Sequence, residues 1–373
     1  MQDILKNLCE IDLKDIVMYI IGGLLIFLAI HKKMEPTLLL PMGFGAILVN
    51  LPFSGVLTHG EEQGIIEYLF NIGIGDIELF PLLLFIGIGA MIDFGPVLGN
   101  PKLMIFGAAA QFGIFFTLAL ASLFFGDKLA ASIAVIGAAD GPTTIVIANK
   151  LLDASSPYIG AITVAAYSYM ALVPIVQPPI IRLCTTKKER LIRMEYNQSD
   201  VSRLTRILFP IVITVIAGIA APSSAGLIGC LMFGNLIREC GVLGGLSETA
   251  ERVLANLITL FLGISIAFQM QSENFVTFNT FLILCLGLVA FVVDTAGGVL
   301  FAKLINLFTH KKINPMIGAA GISAFPMSAR VVHKMGLEED NQNFLLMHAV
   351  GANVSGQIAS VIAGGILLTL FLG

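Results

Sequence analysis

Long apolar runs separated by short charged segments dominate the sequence. A membrane-spanning helix needs about 20 consecutive apolar residues, and runs that approach this length predict spanning helices. These runs are 16–30, 36–53, 79–97, 103–125, 158–181, 205–221, 223–238, 253–270, 278–306 and 344–372. Residues 54–78 place Glu61, Glu62, Glu67 and Asp76 among apolar positions, so this segment is predicted to lie at the membrane surface.

The composition indicates the same class of protein. Apolar residues make up 57% of the 373 residues, charged residues only 12%, and the mean hydropathy is +0.91. An ordinary soluble domain carries about twice that share of charge. The chain is therefore predicted to be an all-α polytopic membrane protein. Its first 15 residues mix Asp, Glu and Lys, and no cleavage site follows the first apolar run, so we expect no secretory signal.

Two further segments, 130–150 and 313–335, are apolar but interrupted. The first contains GAADGPTT at 137–144, and the second contains GAAGISAFPMS at 318–328. Helix breakers, hydroxyls and a carboxylate are costly in hydrocarbon unless protein or a water-filled cavity satisfies them. Both segments are predicted to form re-entrant hairpins rather than straight helices. Interrupted segments in matching positions of two halves indicate an ion or substrate site near the midplane.

The basic residues set the predicted orientation. The densest Lys/Arg cluster lies in 182–206, which the positive-inside rule places in the cytoplasm. Counting spans and hairpins then puts Lys32-Lys33 and His310-Lys311-Lys312 on the same side. The first hairpin would enter from outside and the second from inside. We therefore predict two inverted repeats, with a site at the midplane where the two hairpin tips meet.

The predicted organisation has four parts. N-terminal spanning and interfacial segments cover 1–78, and the first inverted repeat covers 79–185. A basic cytoplasmic loop, 186–206, connects it to the second inverted repeat, 207–373.

Asp140 is the strongest candidate for chemistry, because an ionisable residue at membrane depth is functional by default. The alternative is an acid that reaches the interface or pairs with Lys150. With Thr143 and Thr144, Asp140 offers oxygen ligands that suit a hard cation such as Na⁺. Asn353 lies in the last apolar run, where its amide needs partners. Together with Asp140 and carbonyls freed at the break, it predicts a Na⁺ site.

Other polar residues at membrane depth each leave two interpretations open. Ser323 holds the corresponding place in the second hairpin, and alternatively bonds back to its own helix. Asn314 is alternatively a cap or turn residue. Arg330 is either an interface anchor, which the residues alone favour, or a forked donor to a carboxylate or ureido group. Asp294 has a proton-carrying or a structural role, and His348 belongs to the same group of polar residues.

The sequence contains no Walker motif, no dinucleotide glycine fingerprint and no Cys/His metal cluster. Its basic residues flank apolar runs and are not interleaved with aromatic residues, so nothing indicates nucleic-acid binding. The residues by themselves predict a Na⁺ or H⁺ site in an inverted-repeat transporter. A secondary Na⁺/carboxylate or Na⁺/H⁺ transporter without enzyme activity satisfies this description.

At its motifs the chain resembles the β subunits of the biotin-dependent, sodium-translocating decarboxylases. This family includes the membrane subunits of oxaloacetate, methylmalonyl-CoA and glutaconyl-CoA decarboxylases. The motifs that carry the resemblance are 89–96, 137–144, 165–170, Gln177-Pro178-Pro179, 314–330 and 348–360. They span nearly the whole chain from about residue 80. The chain lacks a long insertion, and in this it is similar to the acyl-CoA members.

The resemblance implies a membrane subunit that decarboxylates carboxybiotin, consumes a proton and carries Na⁺ outward. It places the family's Na⁺-site residues on Asp140, Asn353 and Tyr169. Ser323 and the neighbouring Thr143 and Thr144 are further expected ligands. A later polar residue of the family falls on Ser360. It places carboxybiotin contacts on Arg330, Asn314 and Gly318. Ser323 and Arg330 thereby become the candidate catalytic residues, and Arg330 changes from expected anchor to expected carboxybiotin contact.

The resemblance also implies partners. No Met-Lys-Met biotinylation motif occurs in the sequence, so the biotin is expected on a separate biotin carrier protein. A carboxyltransferase (α) subunit, a small membrane γ/δ subunit and further copies of this chain are the other expected partners. The expected location is the bacterial inner membrane.

Overall fold

The computed structural model describes residues 10–60, 62–75, 78–152, 156–195 and 201–372. Within these residues the chain is helical and contains no β-strand. The helices are α1 (Leu13–His31), α2 (Pro36–Val49), α3 (Ile65–Phe70), α4 (Leu79–Met91), α5 (Gly95–Gly99), α6 (Met104–Ala110), α7 (Phe112–Ala121), α8 (Asp127–Ala134), α9 (Gly141–Leu151), α10 (Tyr158–Cys184), α11 (Lys187–Arg190), α12 (Arg203–Ala220), α13 (Ala225–Glu239), α14 (Gly244–Glu248), α15 (Ala255–Ile266), α16 (Ser272–Phe275), α17 (Phe278–Phe308), α18 (Met316–Ala319), α19 (Met327–Glu339) and α20 (Leu346–Leu372).

Seven helical stretches of the described chain are long and apolar enough to cross a membrane, which confirms the all-α polytopic class. Three of the predicted spans are shorter than expected: α2, α4 and α13 have 14, 13 and 15 residues. The segment 54–78, predicted to lie at the membrane surface, contains a short helix and a π-helical turn. α3 and the π-helical turn that follows it bury Ile66, Phe70 and Ile74, because their spacing of four residues collects them on one helix face.

One end of the molecule gathers the basic clusters, and we call it the basic end. Its ion pairs are Arg182–Glu338 (3.1 Å), Arg190–Glu339 (2.6 Å), Arg193–Asp340 (2.6 Å), Lys303–Glu189 (3.2 Å), Lys311–Glu195 (3.4 Å) and Arg206–Asp93 (3.5 Å). The Arg193 guanidinium holds the pKa of the Asp340 carboxyl below its usual range, so this pair stays ionised at neutral pH. Five of these ion pairs join the segment 182–195 to the last turns of α17, to the loop after α17 or to the end of α19 and the residue after it.

The turn between α1 and α2 also lies at the basic end. The start of α1 and the end of α2 lie at the other end, because the Ser272 hydroxyl donates to Asp15 and the Asn50 amide donates to the Met270 carbonyl. α1 has 19 residues, so its C-terminus lies about 28 Å away. The three basic clusters therefore share one end, and the side of the membrane that this end faces stays a prediction.

The opposite end, as we call it, collects a second set of contacts. The Lys150 ammonium lies 3.8 Å from the Glu78 carboxylate and donates to the Ser223 carbonyl (3.1 Å). The Asn279 amide donates to the Tyr158 hydroxyl (3.1 Å), which joins the starts of α10 and α17. Both long helices run from here to the basic end.

The first interrupted segment enters and leaves at the opposite end. α6 and α7 run antiparallel to α17, since Phe106 packs against Phe301 and the Gly113 amide donates to Asp294. α7 therefore ends toward the opposite end, where α8 begins. α8 and its short 3₁₀ extension run inward, and α9 returns to Lys150 at the opposite end. The unit is a hairpin whose tip lies inside the helix bundle.

The second interrupted segment enters and leaves at the basic end. Asn314 precedes α18 and donates to the carbonyls of Arg190 and Ile192. α19 returns to the ion pairs of Glu338 and Glu339. The two hairpins thus enter from opposite ends of the bundle. The assignment of 79–185 and 207–373 as an inverted sequence repeat stays a prediction.

Candidate functional site

The first hairpin tip is a helix break built by its own sequence. Ala139 adopts the left-handed conformation (φ 52°), which is uncommon for a residue with a side chain. Asp140 is the N-cap of α9, and Pro142 falls in the first helical turn, where its missing N–H costs no hydrogen bond. The break therefore exposes the Ala138 carbonyl and the Asp140 carboxylate to the inside of the bundle.

Asp140 is buried, with 2% of its surface exposed, and its carboxylate is surrounded by donors. The Thr143 hydroxyl (2.7 Å), the Gln357 amide (2.8 Å) and the Ser360 hydroxyl (2.8 Å) all donate to Oδ2. The Thr143 backbone N–H donates to Oδ1 (3.3 Å). These groups satisfy the carboxylate without a positively charged side chain, and three of them also carry oxygen atoms.

The second hairpin tip touches the first. The Ser323 backbone N–H donates to the Ala138 carbonyl (3.0 Å), so the two breaks are hydrogen-bonded to each other. The Ser323 hydroxyl donates to the Gly356 carbonyl on α20 (3.0 Å). Ser323 thus links both tips and the last helix.

One stripe of α20 contacts both tips. Asn353, Gly356, Gln357 and Ser360 follow the i, i+3, i+4, i+7 spacing that collects residues on one helix face. The Asn353 amide donates to the Ile322 carbonyl of the second tip (2.6 Å). A Cβ on Gly356 would lie 2.1 Å from the Gly321 carbonyl oxygen, so only glycine permits this approach.

The tips and the stripe together present a set of donor atoms that suits a hard cation. The Asn353 Oδ1 and the Tyr167 hydroxyl are among the buried side-chain atoms of the described chain that have no hydrogen-bond partner. A buried polar atom without a partner costs about 1–3 kcal/mol, so such atoms call for an explanation. The Asp140 carboxylate, the hydroxyls beside it and the free Asn353 oxygen form an oxygen-rich donor set of the kind that Na⁺ prefers over nitrogen or sulfur.

Comparison with known proteins decides the family. The family model described as Na⁺-transporting oxaloacetate decarboxylase beta subunit matches residues 14–371. This chain belongs to that family. The match confirms the resemblance that the interrupted segments and their flanking motifs indicated. It also makes this β subunit a multi-pass inner-membrane protein.

Three curated relatives show how far the similarity of the β subunit extends. It is 46% identical to the methylmalonyl-CoA decarboxylase subunit beta of Propionigenium modestum, over 97% of this chain and 96% of that protein. It is 47% identical to the glutaconyl-CoA decarboxylase subunit beta of Acidaminococcus fermentans (95% and 92%). It is 44% identical to the oxaloacetate decarboxylase beta chain of Klebsiella pneumoniae (94% of each chain). The alignments run over 386 positions for the Propionigenium protein, 356 for the Acidaminococcus protein and 411 for the Klebsiella protein.

Two tyrosines of α10 are candidates for the tyrosine near the proposed Na⁺ site. The expected ligand Tyr169 donates its hydroxyl to the Leu284 carbonyl on α17. The ring of Tyr167 instead packs against Gly141, directly after Asp140, and is fully buried. The geometry therefore favours Tyr167 over Tyr169 as the tyrosine of the site.

We expect Tyr167→Phe and Tyr169→Phe to have different effects. Tyr167→Phe removes a hydroxyl without a partner among the described residues, so the fold should keep its stability while the Na⁺ concentration for half-maximal activity rises about tenfold, as for one lost ligand. Tyr169→Phe removes a hydrogen bond and should lower stability by about 1 kcal/mol with the Na⁺ requirement unchanged. Na⁺ titration and thermal unfolding of both variants measure this. A raised Na⁺ requirement only in Tyr169→Phe would restore Tyr169 as the ligand.

Arg330 lies on α19 one turn after the second tip and is exposed. Among the described residues its guanidinium has no hydrogen-bond or ion-pair partner. Its charge acts on Glu35, in the turn between α1 and α2: burial raises the pKa of the Glu35 carboxyl, and Arg330 opposes that shift. Arg330 is therefore available at the basic end to a ligand that arrives from that side.

Asn314 and Gly318 act in positioning the second hairpin. Asn314 is fully buried, and its amide donates to the carbonyls of Arg190 and Ile192 (2.9 Å each), while its Oδ1 accepts from Met316. A Cβ on Gly318 would lie 2.0 Å from the Gly298 carbonyl oxygen on α17. These contacts occupy both residues in packing, and they do not support the expected direct contact with carboxybiotin.

The remaining candidates lie around the tips. Thr144 donates to the Asp140 backbone carbonyl (2.8 Å), so its hydroxyl serves the helix rather than the carboxylate. Asp294 is fully buried beside the first tip, where its Oδ1 accepts from Gly113 (2.6 Å). His348 lies at the start of α20 and interacts with the backbone of Met194 and Glu195 at the basic end.

Two glutamines complete the arrangement that the sequence reasoning missed. Gln357 bonds Asp140 directly, and its position one turn after Asn353 is the signal that points to it. Gln177 bridges the arms of the second hairpin, because its amide donates to the Ala319 carbonyl (2.9 Å) and its oxygen accepts from Ser328 (2.9 Å). The motif Gln177-Pro178-Pro179 thus holds the second hairpin to α10.

Proposed function

We propose that this β subunit decarboxylates carboxybiotin near Arg330 and couples the reaction to Na⁺ export through the site at the hairpin tips. The observation that carries the proposal is the contact of Asp140, the Ser323 tip and the α20 stripe at one buried point, reached by hairpins from both ends. A site held between two hairpins of opposite entry can open to one end at a time, which is the requirement for transport.

Arg330 and Ser323 form the side of the site that meets the substrate. Decarboxylation breaks the bond between the ureido nitrogen and the carboxyl carbon, releases CO₂ and leaves the electron pair on the ureido group, which then takes up a proton. Negative charge develops on the ureido oxygen as CO₂ leaves. A forked guanidinium that donates to this oxygen stabilises the transition state more than the ground state. Ser323 lies four residues before the start of α19. Its bond to α20 connects this region to the Na⁺ site.

The part of the site that binds Na⁺ is formed by five residues: Asp140, Thr143, Asn353, Ser360 and Tyr167. The carboxylate supplies the charge, and the other groups supply neutral oxygens. Asp140 binds either Na⁺ or a proton, because protonation removes the charge that holds the cation. A proton that enters from the opposite end therefore releases Na⁺ there and becomes available for the ureido nitrogen. This exchange gives one Na⁺ site a direct link to the proton that decarboxylation consumes.

Membership of the family implies an α subunit and a biotin carrier as partners. We propose that the carrier presents carboxybiotin at the basic end, where Arg330 is exposed, and that this end faces the cytoplasm as the positive-inside rule predicts. A small γ/δ subunit and further copies of the chain complete the proposed complex. The carboxyltransferase would handle the substrate that donates the carboxyl group.

The proposed function is tested on the purified complex with free carboxybiotin as the substrate. We expect CO₂ release that Na⁺ stimulates at least about tenfold, because the cation and the tip contacts form one site. Omitting the carrier should leave this activity, since free carboxybiotin replaces its product. A secondary transporter would release no CO₂ under any Na⁺ concentration, and that outcome would refute the proposal.

A further inference from the structure

A cavity of about 590 Å³ lies at the basic end, away from the hairpin tips. It is formed by the last turns of α17, by α11 and by the segment after α17. Its floor is apolar, with Leu300, Leu304 and Leu307, and its rim carries Lys188, Lys303 and Lys312. This volume is within the range of small-molecule sites in proteins.

The three lysines leave the cavity positively charged. Lys303 lies 3.2 Å from the Glu189 carboxylate and donates to the Cys184 carbonyl (3.2 Å), so its ammonium is held in place. Lys312 donates to the Asn306 carbonyl, which leaves its charge uncompensated. Lys188 is exposed and has no ion-pair partner among the described residues. With Glu189 as the one acid of the lining, two positive charges remain available to an anion.

The leucines face outward from the bundle. Leu300, Leu304 and Leu307 are 53%, 49% and 76% exposed, and the adjacent Phe308 is 81% exposed. They follow the spacing of one helix face on a helix that spans the membrane. Because such a face contacts lipid chains, the lysines at the end of α17 lie where the chains give way to the headgroups.

We propose that this cavity binds an anionic phospholipid of the leaflet at the basic end. The phosphate would lie between Lys188 and Lys312 with Lys303 behind it, and an acyl chain would follow the three leucines. Basic pockets at the ends of spanning helices recognise anionic headgroups in this way. A free phosphate ion would use the lysines and leave the leucines without a role, whereas a phospholipid matches both features in one molecule. The cavity borders the segment 182–195, which clamps the second hairpin, so the bound lipid would stabilise that clamp.

The test uses the purified full-length chain in detergent, titrated with phosphatidylglycerol or phosphatidylcholine and followed by native mass spectrometry. A lysine near an anionic surface strengthens binding about fivefold, so Lys188→Gln combined with Lys312→Gln should lower the phosphatidylglycerol affinity about 25-fold. Lys102→Gln is the matched control, because Lys102 is also exposed and at the basic end but does not line the cavity. This control should change the affinity less than about twofold.

Each outcome decides for or against the lipid. The proposal is supported if the wild type binds phosphatidylglycerol more tightly than phosphatidylcholine, if the Lys188→Gln, Lys312→Gln double variant loses this preference, and if Lys102→Gln keeps it. Equal affinity for both lipids, or an equal loss in Lys102→Gln, overturns it. In a final experiment, the thermal stability of the chain is measured with inorganic phosphate alone and with phosphatidylglycerol. Equal stabilisation by the two would assign the site to the free ion and overturn the proposal of a lipid site.

Discussion

Asp140→Asn is expected to abolish Na⁺-dependent decarboxylation while the complex remains folded. Asparagine keeps the size of the side chain and remains a good N-cap for α9, so the first tip should retain its shape. It removes one full charge from the cation site. Two unit charges 4 Å apart interact by about 4 kcal/mol at an effective dielectric constant of 20, which corresponds to about a thousandfold loss of Na⁺ affinity. Na⁺ titration of CO₂ release measures this loss.

The matched control is Asp127→Asn, in the same hairpin. Asp127 begins α8 and is exposed, so the same substitution there should leave the Na⁺ requirement unchanged. Thermal unfolding of both variants separates loss of the ion from loss of the fold. An Asp140→Asn enzyme that keeps the wild-type Na⁺ dependence would remove Asp140 from the site.

Arg330→Lys should reduce the maximal rate of decarboxylation about 10- to 100-fold. Lysine keeps the positive charge but loses the planar fork, and a hydrogen bond to a charged group contributes about 1.5–3 kcal/mol. The Na⁺ concentration for half-maximal rate should change little, because Asp140 and Asn353 hold the ion in the proposed arrangement. The measurement is the rate with free carboxybiotin across a Na⁺ titration.

Arg182→Lys controls for a general effect of charge at the basic end. Arg182 is exposed and pairs with Glu338 in a bond that lysine can also make, so its rate should match the wild type. A shift in the Na⁺ midpoint with an unchanged maximal rate in Arg330→Lys would contradict the division between the substrate side and the ion side.

The interrupted segments could be predicted from sequence because their signal is local. A carboxylate, a proline and glycines within an apolar run identify a break wherever the run lies, and the basic clusters then fix the end at which each hairpin enters. The bond between Ser323 and Ala138 is the structural counterpart of the match between GAAD and GAAG. The polar stripe of α20 was visible in part, through Asn353 and Ser360.

The sequence leaves open those features that depend on helix rotation or on packing partners. Tyr167 and Tyr169 are two residues apart, so they point about 200° apart on α10, and the sequence does not show which one faces the first tip. Asn314 and Gly318 have side chains that suit a ligand contact and a packing contact equally well. The structure shows the packing contacts: Asn314 bonds to the 190–192 backbone, and Gly318 approaches α17 closely. The contact of both residues with carboxybiotin stays a prediction.

The central claim is that one site serves both reactions. Its most direct test measures CO₂ release and the uptake of radioactive Na⁺ in the same proteoliposomes. The proteoliposomes contain the complete complex, either as the wild type or with the Ser323→Ala substitution. The Ser323 hydroxyl joins the second tip to α20, so its loss should lower both rates, each by about three- to tenfold and by the same factor. CO₂ release that continues at the wild-type rate while Na⁺ uptake falls would contradict the account.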